Sequence, residues 1–321
     1  MKHFLDLADF SAEEINEMLS LSLKLKREMK EGRSRLLLKD KVLAMVFQKP
    51  SLRTRVSFDM AMRDLGGDAL YLSPQEIGLG KRESIADISR VLSGYVHIVM
   101  ARVFAHQHIL ELARWSKVPV INGLSDYNHP CQALADALTI KEEFGDLKGL
   151  NVAYIGDGNN VAVSLMKIVT KLGGNFIIAN PEDYDMPEDD IEQSREFAKN
   201  TGSSIILLRD PQAAAEGAHV IYTDTWTSMG QEEEAQKREK VFPPYQVNDE
   251  LLKLADPKAI VLHCLPAHRG QEITDDVADG PQSRIFPQAE NRMHAQKAIL
   301  VTLLLGGDPD EKFSPNPFLF P

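Results

Sequence analysis

Cysteine and tryptophan are scarce in this 321-residue chain, with 2 of each. Two cysteines, Cys131 and Cys264, cannot build a disulfide framework and suit a reducing compartment, the cytoplasm by default. No apolar run approaches the ~18 residues of a membrane-spanning helix. The N-terminus, Met1 to Asp9, carries acids and no long apolar stretch, so it reads as neither a signal nor a transit peptide. Positive charge is also in deficit. Lys and Arg number 36 against 47 Asp and Glu, a formal net charge of −11, which argues against a nucleic-acid-binding surface. An anion site in such a chain must be local. No internal repeat or low-complexity segment is visible. The remainder, 43% hydrophobic and 26% charged, is an ordinary globular composition, and the length suggests about two domains at roughly 150 residues each.

What is present centres on Ser51-Leu52-Arg53-Thr54-Arg55. Lys41 to Phe47 reads as a buried strand before it. Phe58, Met62 and Leu65 follow at one-helix-face spacing, and Gly66-Gly67 ends the pattern. The stretch therefore lies where a strand passes into a helix N-terminus, with unpaired N–H groups and the positive end of the helix dipole. Two guanidinium groups and the hydroxyls of Ser51 and Thr54 added there point to an oxyanion, phosphate above all. The plainer alternative is Ser51 as an N-cap beside two solvated arginines.

Around it the chain alternates strand and helix. Ser11 opens a helix to about Glu31, with Glu14 completing a capping box. Strands are expected at 69–72, 98–101 and 118–122. A Gly-rich loop spans 77–84, and helices run from Ser84 to about Gly94 and from 107 to 116. His129-Pro130-Cys131-Gln132 starts a long helix to about Phe144, since proline suits the first helical turn. A seam at Gly145 to Gly149 begins a second unit with strands at 151–155, 176–179, 204–207, 220–223 and 259–262. A helix follows the turn Gly156 to Asn160. Gln231 to Lys240 reads as a solvated loop or short helix, and 288–305 as an apolar-faced helix. Alternation of this kind means parallel sheets with helices on both faces.

Several constellations invite chemistry. Arg102 leaves a strand at the sheet edge where α/β folds place ligands, and three arginines converging there would repel without an anion. Gly156-Asp157-Gly158-Asn159-Asn160-Val161 resembles a dinucleotide fingerprint, yet Val161 replaces the third glycine and no acid follows the next strand. Asn159 and Asn160 at a helix start can instead donate to a carboxylate. Cys264 beside His263, and Cys131 near His129, are weak nucleophile candidates, because sequence neighbours do not orient a thiolate against an imidazole. Two cysteines at these spacings match no common zinc pattern.

Four stretches in order, Ser51-Leu52-Arg53-Thr54-Arg55, His129-Pro130-Cys131-Gln132, Asp224-Thr225-Trp226-Thr227-Ser228-Met229-Gly230 and His263-Cys264-Leu265-Pro266, resemble the aspartate/ornithine carbamoyltransferase family. The last two look like its ornithine branch, and the resemblance covers essentially the whole chain. It implies two doubly wound parallel-sheet α/β domains joined by long helices, with the C-terminal helix returning to the first. A carbamoyl phosphate-binding domain would span 1–146, with helix 288–305 packed back on it, and an ornithine-binding domain 147–287. Ser51, Arg53, Thr54 and Arg55 would hold the phosphate. Arg102 and His129, with Thr54, would face the carbonyl oxygen; Gln132 and the Leu265 carbonyl would take the carbamoyl amine; Arg292 matches the family's returning arginine. Asn160 would meet the ornithine carboxylate, Asp224 and Ser228 its α-amino group, and Met229 lies in the same loop. Asp224 and Cys264 would lie near the δ-amine. The implied reaction moves the carbamoyl group to that amine with no cofactor and no metal. Its implied partners are carbamoyl phosphate, L-ornithine and copies of the same chain, a trimer by analogy, with no nucleic acid or membrane. Another amine, putrescine or an acylated ornithine, is the alternative acceptor. At Gly78 the family commonly carries a polar residue that reaches a neighbouring subunit; Gln75, Lys81 or Arg82 substitutes here, or the contact is missing.

Overall fold

A computed structural model describes residues 1–80, 83–227 and 232–312. The chain divides into two compact units, Met1–Asp126 with Arg292–Pro321, and Tyr127–Asn291.

The first unit carries a parallel sheet of β1 (Val42–Phe47), β2 (Asp68–Leu72), β3 (Ile98–Arg102) and β4 (Val120–Leu124), ordered β2-β1-β3-β4. β1 is buried from Leu43 on, and β3 along its whole length, which is why both read as unbroken apolar runs in the sequence. The edge strand β2 keeps exposed positions. Helices Ala12–Lys30, Leu52–Asp64, Ile85–Tyr95 and His106–Trp115 match the expected ones closely. Ser11 and Glu14 form the capping box. Phe58, Met62 and Leu65 are all buried, so the helix after Ser51 is held by its apolar face. Truncating Phe58 there would cost about 3–5 kcal/mol.

Two details differ from expectation. β4 starts at Val120, because Pro119 has no N–H for the ladder, and Phe4 pairs with its outer side through Phe4 N–Val120 O at 2.9 Å. The Gly-rich loop is preceded by a helical turn, Pro74–Ile77, capped by Ser73. The C-terminal helix, Ile285–Leu305, returns to this unit as expected. Lys297 hydrogen-bonds Asp64, and Asp308 beyond the helix pairs with Lys24 at 2.6 Å and Arg35 at 2.9 Å.

The second unit holds β5 (Asn151–Ile155), β6 (Asn175–Ala179), β7 (Ile205–Leu208), β8 (Val220–Thr223) and β9 (Ile260–His263), all parallel and ordered β7-β6-β5-β8-β9. Its apolar cluster joins Ala153, Ile155, Ile221 and Val261 on one sheet face to Val247, Leu251 and Val277. The Glu188–Thr201 helix was not foreseen from the sequence; its apolar Ile191 and Ala198 are buried among many charges. The Pro130–Phe144 helix belongs to this unit by its contacts, so these divide the chain earlier than the Gly145–Gly149 seam. Buried Asp136 on that helix accepts from the Tyr222 hydroxyl of β8. Both sheets place a strand-order reversal, between β1 and β3 and between β5 and β8, where doubly wound folds bind ligands beyond the carboxyl ends of the strands. Among the described residues no helix is long and apolar enough to cross a membrane.

Candidate active site

In the first unit the β1–β3 reversal is followed by the Ser51 stretch. Ser51 Oγ accepts from Thr54 N at 3.3 Å, so it is the N-cap of the Leu52–Asp64 helix. Capping does not exclude an oxyanion at this place, because a capped start still leaves first-turn N–H groups without a helical partner. Thr54 is fully buried, and its Oγ1 accepts from Arg292 Nη2 at 2.8 Å and Arg102 Nη1 at 3.3 Å. Two buried guanidinium groups meeting on one neutral oxygen concentrate positive charge in a poorly screened place. Arg55 lies 3.9 Å over the Tyr71 ring, and Arg53 is half-buried. Among the described residues no carboxylate pairs with Arg53 or Arg55. Gln48 braces the region, donating to the Leu79 carbonyl at 3.2 Å and accepting from Phe104 N at 3.0 Å. Gly78, at φ +50°, closes the Pro74–Ile77 turn in the left-handed region, which gives it a local reason to be glycine. Gln75 is exposed; Lys81 and Arg82 lie outside the described residues.

The second unit gathers a different chemistry. Asp224, just past β8, accepts from Asn159 Nδ2 at 2.8 Å, Thr225 N at 2.8 Å and Cys264 Sγ at 2.9 Å. Asn159 in turn caps the Asn160–Lys171 helix, its Oδ1 accepting from Val161 N at 2.9 Å. Asn159 does donate to a carboxylate, but it is the protein's own Asp224. Asn160, half-buried, is the first helical residue. The thiol of Cys264 faces Asp224 and not His263, so it stands there as a hydrogen-bond donor. Ser228, Met229 and Gly230 lie outside the described residues. Just before them, the Trp226 carbonyl accepts from Arg238 Nη1 at 2.7 Å; the same nitrogen reaches Asp157 Oδ2 at 2.6 Å. Both ends of the Arg238–Asp157 pair are buried. Burial pushes the Asp157 carboxyl up, and Arg238 pulls it back. The segment read as a solvated loop or short helix is, in its described part, a helix Ala235–Val241 held by this buried arginine.

Gly158 also has a structural reason. A Cβ there would come within 2.5 Å of Met186 N and 2.7 Å of the Tyr184 carbonyl oxygen. The chain's own 184–186 backbone fills the approach that the glycines of a dinucleotide loop leave to a pyrophosphate.

His129 caps the Pro130–Phe144 helix, and its N–H donates to Ser164 Oγ at 2.7 Å. Gln132 follows in the first turn, and Cys131 is buried beside it. At the end of β9, His263 Nδ1 accepts from Leu265 N at 2.9 Å and its Nε2 meets Glu272 Oε1 at 2.9 Å. A backbone N–H only donates, so Nε2 carries the ring proton. Leu265, at φ +58°, is in a region that non-glycine residues occupy rarely; the His263 bond holds it there. Asp224, His263 and Cys264 each bring one potential metal ligand within 4.8 Å of the others. Both nitrogens of His263 are already engaged, which leaves two donors, too few for a zinc site.

Asp136, Tyr222, Gln288, Arg238 and Glu272 were not singled out from the sequence. One signal was legible: Gln132 and Asp136 stand at i, i+4 on one helix face. The other partners are far apart along the chain.

The fold is thus a doubly wound α/β pair of parallel sheets, each with polar groups at its strand-order reversal. Residues 2–142 match the family model "Aspartate/ornithine carbamoyltransferase, carbamoyl-P binding domain", and residues 148–303 match "Aspartate/ornithine carbamoyltransferase, Asp/Orn binding domain". The chain belongs to the aspartate/ornithine carbamoyltransferase family. It is 54% identical over 306 residues to the ornithine carbamoyltransferase of Pyrococcus abyssi, covering 95% of this chain and 96% of that one. It is also 54% identical to the anabolic ornithine carbamoyltransferase of Pyrococcus furiosus, over 95% of this chain and 97% of that one. A solved structure of ornithine carbamoyltransferase from Pyrococcus furiosus superimposes with a TM-score of 0.93, at 53% identity, covering 96% of this chain and 98% of that one.

Proposed function

We propose that the protein transfers the carbamoyl group of carbamoyl phosphate to the δ-amine of L-ornithine, giving L-citrulline and phosphate. The observation that carries this reading is the meeting of Arg102 and Arg292 on the buried Thr54 hydroxyl at a capped helix start, in a chain so similar to ornithine carbamoyltransferases. Ser51, Arg53, Thr54 and Arg55 bind the phosphate. Arg102 and His129 take the carbonyl oxygen, and Gln132 with the Leu265 carbonyl takes the carbamoyl amine. Asn160 binds the ornithine carboxylate, Asp224 and Ser228 its α-amino group, and Met229 lines the same place. Cys264 and Asp224 serve the δ-amine.

The neutral δ-amine attacks the carbamoyl carbon, forming the C–N bond as the carbonyl oxygen becomes an oxyanion. The oxyanion then collapses to the carbonyl, the C–O bond to phosphate breaks with its electron pair on phosphate, and the proton lost by the attacking nitrogen leaves with that phosphate. Each donor aimed at the oxyanion is worth on the order of 3 kcal/mol, and alignment of two bound substrates adds ~7–11 kcal/mol. A residue set of this kind needs neither metal nor cofactor to stabilise those charges. The protein works in the cytoplasm, which suits Cys131 and Cys264 outside any disulfide. It assembles as a homotrimer. Leu52, Val56 and Met60, exposed at 76%, 49% and 41% on one face of the phosphate helix, support a protein contact there; sedimentation at equilibrium reads the mass.

The test is phosphate release from carbamoyl phosphate on adding L-ornithine. Putrescine, N-acetylornithine and aspartate should give background release. Equal or faster release with one of them would replace ornithine as acceptor.

A further inference from the structure

The amide of Gln132 is satisfied on one side alone. Its Nε2 donates to Asp136 Oδ1 at 2.9 Å. Its Oε1, on a side chain only 1% exposed, has no hydrogen-bond partner among the described residues. A buried bare acceptor is destabilising, and turning the amide over would not cure it, because oxygen would then face carboxylate. The orientation has a traceable cause.

That cause begins at a group whose polarity cannot be reversed, a backbone N–H. His263 N donates to Gln288 Oε1 at 2.9 Å. The Gln288 oxygen is therefore fixed toward β9, and its nitrogen points the other way, donating to Asp136 Oδ1 at 2.6 Å. The Tyr222 hydroxyl donates to Asp136 Oδ2 at 3.2 Å. Burial holds that hydroxyl well above the usual phenol range, and the Asp136 charge adds to the effect, so it keeps its proton. Asp136, itself fully buried, acts as an acceptor toward every one of these donors. Gln132 can join the network only by offering its nitrogen, which turns its oxygen away from Asp136. The His263 N–H sets the Gln288 direction, and the acceptor-only Asp136 carboxylate sets those of Gln132 and Tyr222.

We propose that Asp136 is a positioning residue that fixes the Gln132 amide with its oxygen outward, so that the site selects a carbamoyl group over an acyl group. The inference rests on the reading that Gln132 receives the carbamoyl amine, and it adds the residue that makes that reception possible. A carbamoyl group carries N–H donors beside its carbonyl, whereas an acetyl group of the same shape carries a methyl. A site built to accept a hydrogen bond discriminates strongly against an analogue that lacks the donor.

The experiment compares equilibrium binding of carbamoyl phosphate and acetyl phosphate to the full-length protein and its variants. In the parent, carbamoyl phosphate should bind far more tightly. Gln132→Met should weaken carbamoyl phosphate about 30-fold or more and acetyl phosphate less than twofold, a loss of the size expected for a buried hydrogen bond. Asp136→Leu removes the acceptor that holds the Gln132 nitrogen, so the amide loses its fixed orientation and can turn its nitrogen toward the ligand's nitrogen. The same selective loss should appear, about tenfold or more for carbamoyl phosphate and less than twofold for acetyl phosphate. Asp136→Asn should largely retain the selectivity, because its carbonyl oxygen can take the place of Oδ1, which serves both glutamines, while its NH₂ donates to the Tyr222 hydroxyl. In the Gln132→Met background Asp136→Leu should add less than twofold. A selective loss with Gln132→Met but none with Asp136→Leu would overturn the positioning role and leave the Gln132 reading intact. Equal weakening of both ligands by Asp136→Leu would reduce Asp136 to a structural residue. No selective loss with Gln132→Met would remove the reading and this inference together. Thermal melting checks that each variant is folded. If Asp136→Leu is not, Asp136→Ser, whose short hydroxyl does not reach the Gln132 amide, carries the same expectation.

Discussion

The two units handle charge in opposite ways. At the strand-order reversal of the first, cations gather on a neutral atom: Arg102 and Arg292 share the Thr54 hydroxyl, and Arg53 and Arg55 find no carboxylate among the described residues. In the second, the acids are answered from within. Asp224 accepts from Asn159, Thr225 and Cys264, Asp157 pairs with Arg238, and Asp136 accepts from Gln132, Tyr222 and Gln288. Positive charge gathered in this way attracts an anion. Compensated negative charge is a scaffold whose few remaining polar atoms have set directions. A substitution in the first unit should therefore act mainly on anion binding and catalysis, and one in the second should divide between stability and amino-acid recognition.

The largest effect should come from breaking the scaffold. Arg238→Met leaves Asp157 buried without its partner and should destabilise the protein by about 3–5 kcal/mol, read by denaturant unfolding. A change under 1 kcal/mol would show that the pair is not a scaffold element. Arg102→Leu comes next. It should lower kcat by about 10²–10³-fold, as for loss of one oxyanion donor, with melting temperature nearly unchanged. A large fall in stability with intact kcat would erase the contrast between the units. Asp224→Asn sharpens it further. The KM for ornithine should rise about 30-fold, roughly 2 kcal/mol, while that for carbamoyl phosphate stays within threefold. Equal shifts in both would take Asp224 out of the amino-acid site.

The smallest effect tests a compensated acid within the first unit. Hydrogen bonds from Arg35 and then Lys24 hold the Asp308 carboxyl well below the usual carboxylate range. Folding thus favours its charged form, and the stabilisation is complete above the unfolded value near ~3.9. It fades as pH falls through the lower folded value. Asp308→Asn should cost about 1 kcal/mol at neutral pH once solvent screening is allowed for. The parent and the variant should converge in stability at strongly acid pH. A constant gap down to the acid limit would mean that shape, not charge, docks the tail.

Much of this was legible in the chain itself. The strand before Ser51, the helix face of Phe58, Met62 and Leu65, and the Ser11 capping box were readable because they are local: a strand or cap is fixed by residues within a few positions. Alternation of strand and helix gave parallel sheets, and the four motifs gave the family. The Glu188–Thr201 helix escaped because its charges outnumber the apolar residues that anchor it. Arg238 escaped because burial of an arginine depends on an acid 81 positions away along the chain, and composition there looked like solvent.

What the sequence alone determined is which groups carry charge and hydrogen-bonding capacity, and roughly where each leaves a strand or begins a helix. Tertiary structure decided which of those groups remain available. Asn159 and Asn160 are the same residue type side by side; one caps a helix and donates to Asp224, and the other starts the helix. His263 stands beside Cys264 in the sequence, yet both its nitrogens are engaged by Leu265 and Glu272. Gln132 is an amide with two faces in any sequence, and the Asp136 carboxylate decides which face is left open. The reason is that hydrogen bonds are directional and each donor or acceptor is used up locally, so availability is settled by neighbours that only folding brings together.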